Sequence, residues 1–383
     1  PQERGEAHGD QVLQAPWCGS TLDVQEIVDL VSHASRGRAV PWRPWAPALP
    51  DVVDESRARE LGRHRDPEEV LGEDEGNRQR QGHGGDSRSG QARSAQQETA
   101  GDQVLLALTD LPHRQRLGLW HWQGTRPLLA LGAPGSGRST LVVSAATAAL
   151  RSGRGVHLCG LTPPTTGGSS EAVGAVASVR RLLTHPAVGT VVGAEDPRRL
   201  ARLWGLAAAG RLGGDLLCLD DVDALIPTID EVLGPGQGNA MLEAVIRTGM
   251  PLLLTAPLAA STSRWAGSVG LRLILGAATS TQAALAGLPR GVLTGGLPGR
   301  GVILNGTATT ACQIVLREGP PNSAPECGSG SVLRLEPLPT RITWSDAPAG
   351  TWAVGGDAAT PVELPTRTSV LVVGPPGSGR STA

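Results

Sequence analysis

Apolar positions along this chain change their period three times, and each change marks a different kind of segment. From Val104 onward, short apolar runs alternate with stretches whose apolar residues recur at helical spacing. That alternation predicts βαβ units and an α/β fold: a mostly parallel sheet with helices on both faces. Strands are expected over 127–131, 155–161, 189–192, 215–219, 251–256, 271–275, 301–304 and 311–316, with helices over 139–150, 172–183, 197–209 and 241–247. Upstream, the spacing of Val24, Ile27, Val28, Leu30 and Val31 predicts a helix over 23–34, and the Pro/Trp stretch 41–50 reads as an extended linker. Residues 54–100 are rich in Arg, Glu, Asp, Gly, Gln and Ser and poor in apolar residues, so a disordered insertion is expected there.

A nine-residue signature falls where the first strand meets the first helix. It reads Gly132-Ala133-Pro134-Gly135-Ser136-Gly137-Arg138-Ser139-Thr140. It fits the phosphate-binding pattern G-x-x-x-x-G-K-[ST], with Arg138 in the place of Lys. Glycines let successive backbone N–H groups converge on phosphate oxygens, and the helix that follows adds its partial positive charge. The Ser139 hydroxyl is placed to ligate Mg²⁺ of bound ATP. The signature recurs as Gly374-Pro375-Pro376-Gly377-Ser378-Gly379-Arg380-Ser381-Thr382, one residue before the last, Ala383. A phosphate loop needs its following helix, so the expectation is a piece of a longer, repeating chain. A second Pro-rich linker, within 332–348, strengthens that expectation. The five segments expected are 1–53 (tail of a preceding module and linker), 54–100 (insertion), 101–318 (a phosphate-loop module), 319–350 (linker) and 351–383 (the start of a second module).

The partner element is the apolar run Leu216-Leu217-Cys218-Leu219, which ends in Asp220-Asp221. An acid at the end of a buried strand downstream of a phosphate loop suits metal and water chemistry. Asp220 would hold Mg²⁺ through water and Asp221 would orient or deprotonate the attacking water. The plainer reading is a strand followed by a helix that Asp221 or Asp223 caps. Thr255 ends another buried strand and is a candidate for contacting the attacking water or the terminal phosphate. His157 reads as a core residue. Arg272 and Arg300 are candidates for reaching a neighbouring subunit's nucleotide.

Composition alters one part of this picture. Gly (52) and Pro (30) are abundant, Phe and Tyr are absent, and all 34 basic residues are Arg, with no Lys anywhere. Arg138 and Arg380 therefore fit a chain-wide bias, and do not by themselves signal a dead site. A planar guanidinium fits less well than an ammonium between β- and γ-phosphates, so binding should survive while hydrolysis falls by roughly 10²–10³-fold. The net charge of −2 gives no global basic field for nucleic acid. The five Cys (18, 159, 218, 312 and 327) lack metal-ligand spacing, and Cys159 and Cys218 read as small core residues of a reduced, cytoplasmic protein. No apolar run reaches the about 18–20 residues that a membrane-spanning helix needs.

The order of these motifs resembles the FtsK/SpoIIIE-type ATPase domain. The resemblance runs through 128–141, Val156-His157-Leu158-Cys159-Gly160-Leu161, His185-Pro186-Ala187-Val188-Gly189, Asp196-Pro197-Arg198-Arg199, 217–223, 252–256 and Pro298-Gly299-Arg300-Gly301. It implies a RecA-like P-loop motor fold using ATP and Mg²⁺, working beside neighbouring modules in a tandem chain or in a homo-oligomeric ring. Tandem modules with Pro-rich linkers are most similar to the type VII secretion (EccC-like) ATPases. That similarity implies a secreted protein as substrate, with double-stranded DNA the alternative, and attachment to the inner face of the membrane through segments outside this sequence. A non-hydrolysing scaffold module stabilised by nucleotide is the further alternative. Arg138, and Pro257-Leu258 where family members often carry a basic residue, are the departures from the pattern.

Overall fold

The computed structural model describes residues 4–7, 11–14, 47–62, 103–161, 170–317, 319–320 and 332–363 apart from 340, 344 and 346. It also describes single residues at 26, 28, 29, 33, 369, 371 and 373. The second signature, 374–382, lies outside the described residues, as do Cys18 and Cys327. The chain divides into two units, Pro1–Pro44 and Trp45–Ala383. In the first, β1 (Arg4–Ala7) and β2 (Gln11–Gln14) form an antiparallel pair. Glu26, Val28, Asp29 and His33, within the helix expected over 23–34, are helical.

The second unit opens with β3 (Val53–Asp54) and α1 (Glu55–Gly62). A hairpin of β4 (Val104–Leu111) and β5 (Arg116–Trp122) follows. Next come β6 (Leu128–Gly132), α2 (Arg138–Arg151), β7 (Val156–Cys159), α3 (Ser170–Leu183), β8 (Val188–Val192) and α4 (Pro197–Ala208). The remaining core elements are β9 (Leu216–Leu219), α5 (Val222–Leu233), α6 (Gln237–Arg247), β10 (Leu252–Ala256), β11 (Leu271–Leu275) and α7 (Ser280–Leu285). Then β12 (Arg300–Asn305) and β13 (Ala308–Leu316) return to the sheet, and β14 (Thr351–Gly355) pairs with β15 (Thr360–Glu363) as a separate hairpin.

One sheet carries the fold, in the order β5-β4-β13-β12-β11-β6-β10-β9-β7-β8. The six strands from β11 to β8 run parallel, and the four from β12 to β5 add an antiparallel wing. Alternation of side chains on the parallel strands explains why helices cover both faces. Leu128, Ala130, Leu216, Cys218 and Leu253 join the cluster formed with α2 and α3, around Leu141, Val142, Leu150 and Leu182. Leu129, Leu131, Leu217, Leu219, Leu252 and Leu254 join the cluster on the opposite face, with Leu200, Trp204, Leu225, Ile229 and Leu242. Both faces of these strands are apolar, which is why their sequences read as unbroken runs. Burial pushes the thiols of Cys159 and Cys312 up to about 12, the state of inert core residues.

Two expectations need correction. The insertion expected over 54–100 does not begin at 54. Residues 53–62 form a strand and a helix: Val53 pairs with Val315, Asp54 caps the helix by accepting from the Arg57 N–H at 2.8 Å, and Ala58 is fully buried. Polar composition hid this helix, because a single buried face on two turns needs few apolar residues. The linker expected over 319–350 is also partly docked. The Leu335 N–H donates to Thr190 Oγ1 at 2.9 Å, Leu335 is buried in the core, and Arg334 Nη2 donates to the Val188 carbonyl at 3.1 Å.

Candidate functional site

The site forms where the carboxyl ends of β6, β10 and β9 lie side by side. β10 sits between the loop-bearing strand and the acid-bearing strand, in register with both: Thr255 is opposite Ala130, and Leu254 is opposite Leu219. Strand ends next to a reversal of strand order are where open α/β sheets bind ligands. The order here thus places Thr255 between the loop and the acids.

The loop 132–140 is shaped by glycines at two positions that require them. Gly135 and Gly137 have φ of +74° and +99°, and a Cβ on Gly137 would meet the Gly299 amide nitrogen at 3.2 Å. No atom lies within 4 Å of where a Cβ on Gly135 would stand, so the cradle is open above it. Ala133 and Ser136 close the turn through Ser136 N–H to Ala133 O at 3.2 Å. Pro134 and Gly135 are exposed, Ser136 is buried, and its Oγ has no partner. Residues Arg138, Ser139 and Thr140 open α2, with Ser139 and Thr140 exposed.

A continuous hydrogen-bonded network joins the sequence-predicted residues. The Ser139 hydroxyl donates to Asp220 Oδ2 at 2.7 Å, and the Thr255 hydroxyl donates to Asp220 Oδ1 at 2.6 Å. Thr255 Oγ1 in turn accepts from the Asp221 N–H at 2.9 Å. Arg138 Nη1 lies 3.2 Å from Asp221 Oδ1. Asp220 and Thr255 are buried, whereas the Asp221 side chain is 50% exposed. Asp221 does stand at the first position before α5, in the left-handed region (φ 52°), but its side chain makes no capping bond. It is turned to the loop instead.

Sequence reasoning gave two neighbours no role at this site. Asp223 lies beside Asp221; burial and the Asp221 charge raise its pKa, against a lowering by Arg138. Gly160, at the end of β7, passes so close that a Cβ would meet the Asp220 carbonyl oxygen at 2.3 Å. An acid three residues along and a glycine after a strand were the available signals. Arg272 and Arg300 do not reach outward. Arg272 donates to the carbonyls of Val269 and Ala266, and Arg300 to Gln313 Oε1 and the carbonyls of Leu49 and Pro50. His157 is fully buried, accepts from the Thr190 N–H at 3.1 Å and has Nε2 3.3 Å from Asp215.

The second unit is an α/β domain built on one large, mostly parallel sheet. Neither a family model nor a curated protein matches the chain. Solved structures similar to it include EssC (ATPases 2 and 3) from Geobacillus thermodenitrificans, with 14% identity and a TM-score of 0.46 over 68% of this chain and 58% of that one. The cytoplasmic domain of the Thermomonospora curvata type VII secretion ATPase EccC shows 16% identity and a TM-score of 0.41, over 69% of this chain and 36% of that one. The pCW3 conjugation coupling protein TcpA, solved with ATPγS, shows 14% identity and a TM-score of 0.39, over 57% and 68% of the two chains. This chain therefore spans a little over half of the EssC structure and about a third of the EccC one. Among the described residues, no helix is long and apolar enough to cross a membrane.

Proposed function

We propose that this chain is an ATP-binding motor module of a multi-module FtsK/SpoIIIE-type ATPase, coupling nucleotide binding to protein export of the type VII kind. The observation that carries the reading is the Ser139–Asp220–Thr255–Asp221 network beside an open glycine cradle. These donors fit Mg²⁺ and a triphosphate: a hydroxyl and a buried carboxylate for a hard cation, and a run of backbone N–H groups with an unpartnered serine hydroxyl for phosphate oxygens. Bound Mg-ATP supplies an electrophilic phosphoryl group and a divalent charge.

The protein's own residues then have distinct tasks. Ser139 and Asp220 would hold the metal, so their mutual bond must open to admit it. Thr255 stays on the Asp221 N–H and fixes that backbone. Asp221, half exposed, would position water and take its proton. Arg138 would neutralise phosphate, but one of its N–H groups is engaged with Asp221. That pair ties up both the base and the cation, and it favours slow turnover.

Calorimetric titration of the whole chain with ATP, with and without Mg²⁺, tests this reading. Binding should require Mg²⁺ for full affinity, and Asp220→Asn should remove that requirement and cost about 10–100-fold in affinity. A chain with no nucleotide affinity under either condition would refute it.

A further inference from the structure

At the end of α2 far from the phosphate loop, three guanidinium groups converge on one carboxylate. Glu55 Oε1 accepts from Arg59 Nη2 at 2.7 Å and from its Nε at 3.2 Å. Glu55 Oε2 accepts from Arg317 Nε at 3.0 Å and from Arg151 Nη1 at 3.3 Å. A carboxylate offers about four lone-pair sites, so Glu55 is saturated. Three positive charges thus meet one negative charge. Arg317 is buried and turns its other donors to the Leu105 and Ser144 carbonyls. The side chains of Arg59 and Arg151, by contrast, are 46% and 45% exposed.

These four residues line a cavity of about 370 Å³, with His121 and Gln103 in its other walls. Glu55 is the one carboxylate among its described lining residues. His121 registers the excess of positive charge: burial lowers its pKa from 6.5, and the Arg59 and Arg317 charges lower it further, against a smaller raising by Glu55. Guanidinium groups bind carboxylates through paired N–H donors, so a roomy, cation-lined cavity short of anions suits carboxylates supplied from elsewhere.

Two walls of the cavity are also the two ends of one stretch of sequence. Glu55 and Arg59 belong to α1, which stops at Gly62, and Gln103 immediately precedes β4. Residues 63–102 join them and lie outside the described residues. Within that stretch, 66–75 reads Asp66-Pro67-Glu68-Glu69-Val70-Leu71-Gly72-Glu73-Asp74-Glu75. Six of these ten residues are acids and none is basic, which makes it the densest acidic run in the chain. It begins four residues after α1. The way back from Gly62 to Arg59 is three residues of helix, about 4.5 Å, whereas four to six extended residues span about 13–20 Å. The run is therefore within easy reach of the exposed arginines.

We infer that the arginine cavity takes carboxylates of the acidic run 66–75, so that the chain neutralises Arg59 and Arg151 with its own insertion. Two carboxylates balance the excess charge, and neighbours such as Glu68 and Glu69 supply them together. This site uses no group of the Ser139–Asp220–Thr255 network and stands apart from the nucleotide reading.

A labelled peptide of sequence 66–75 tests it, by fluorescence anisotropy at low salt against three forms of the whole chain. The first is the wild type. The second carries Asp66→Asn, Glu68→Gln, Glu69→Gln, Glu73→Gln, Asp74→Asn and Glu75→Gln, which frees the cavity without touching its walls. The third adds Arg59→Gln and Arg151→Gln. The second form should bind the peptide. The wild type should bind it at least about tenfold more weakly, because its tethered run competes at an effective concentration near millimolar. The third form should also bind at least about tenfold more weakly than the second, with an unchanged far-UV circular dichroism spectrum. If the third form does not fold, Arg151→Gln alone in the second form replaces it, since Arg151 makes the longest of the four bonds to Glu55; the loss should then be about threefold. A second form that does not bind, or arginine variants that bind as well as the second form, would overturn the site. Equal binding by the wild type and the second form would overturn the internal occupant and assign the cavity to an acidic segment of another chain.

Discussion

The two ends of α2 hold the two largest polar clusters on this helix, and they are built on opposite principles. At its start, Arg138 and Ser139 join Asp220, Asp221 and Thr255 in a network that is incomplete: Asp221 is half exposed and Ser136 Oγ has no partner. At its far end, Arg151 joins Arg59 and Arg317 around the single carboxylate of Glu55. Arg317 is 2% exposed in its side chain, with its remaining donors on the Leu105 and Ser144 carbonyls. One cluster keeps its charges accessible and underused, as a binding site must. The other satisfies a buried cation, as a structural joint must. A cation at the carboxyl end of a helix is also favoured by the helix dipole.

If that contrast holds, substitutions at the two ends should move different measurements. The largest change is expected at Arg138→Lys, which restores a compact cation and removes the planar fork from Asp221. Turnover of ATP should rise by roughly 10²–10³-fold with little change in unfolding midpoint. Steady-state hydrolysis by both forms checks it; binding without any gain in turnover would show that Arg138 is not what slows the site. At the other end, Glu55→Ala should leave ATP affinity unchanged and cost about 2 kcal/mol of stability by urea unfolding. That is below the usual cost of orphaning a buried ion because Glu55 is itself partly exposed.

The contrast also explains what could be read from sequence. The site end of α2 is a local pattern: nine consecutive residues specify the turn, and an apolar strand ending in two acids specifies the partner. Thr255 was reachable because it, too, ends an apolar run. The joint end has no such pattern, because Glu55, Arg59, Arg151 and Arg317 are brought together only by the tertiary fold. The pairing of β3 with β13 creates that joint, and two residues of strand carry no periodicity at all. The antiparallel wing of β4 and β5 was likewise invisible as a hairpin, since its turn, Pro112–Arg114 with Gln115 left-handed, has none of the usual glycine signals. Arg300 misled for the opposite reason. It stands in a glycine-rich turn that reads as exposed, yet its guanidinium folds inward onto backbone carbonyls.

A smaller effect separates the ends by pH. Burial raises the Glu55 pKa, but the Arg59 and Arg317 guanidinium groups more than offset this, so it lies below its ordinary 4.5. His121, beside them, is lowered from 6.5 by burial and then by Arg59 and Arg317. Both shifts have the same sign in their effect. Below pH 6.5 the unfolded chain protonates His121 more readily than the folded one, and below 4.5 it does so at Glu55, so stability falls on acidification in two stages. Urea midpoints between pH 8 and pH 3 should show both, with His121→Gln flattening the first stage and Glu55→Gln the second. Neither variant should alter the pH dependence of nucleotide binding.

The smallest change, Thr255→Val, tests whether the site end contributes anything to holding the fold. Valine keeps the shape and the strand propensity of threonine, and Thr255 is fully buried, so packing is conserved. What is lost is one hydroxyl that donates to Asp220 Oδ1 and accepts from the Asp221 N–H. Leaving these groups short of a partner should cost about 1 kcal/mol, the low end of the range, because Asp221 stands at the solvent edge and water can replace the lost acceptor. The same substitution frees the backbone of Asp221, which is held in the left-handed region at φ 52°. Its orientation toward the loop should then loosen, and turnover should fall while ATP affinity stays near the wild-type value. A loss of stability as large as that from Glu55→Ala would mean that the Asp220 network is itself a structural joint, and the two ends of α2 would no longer differ in kind.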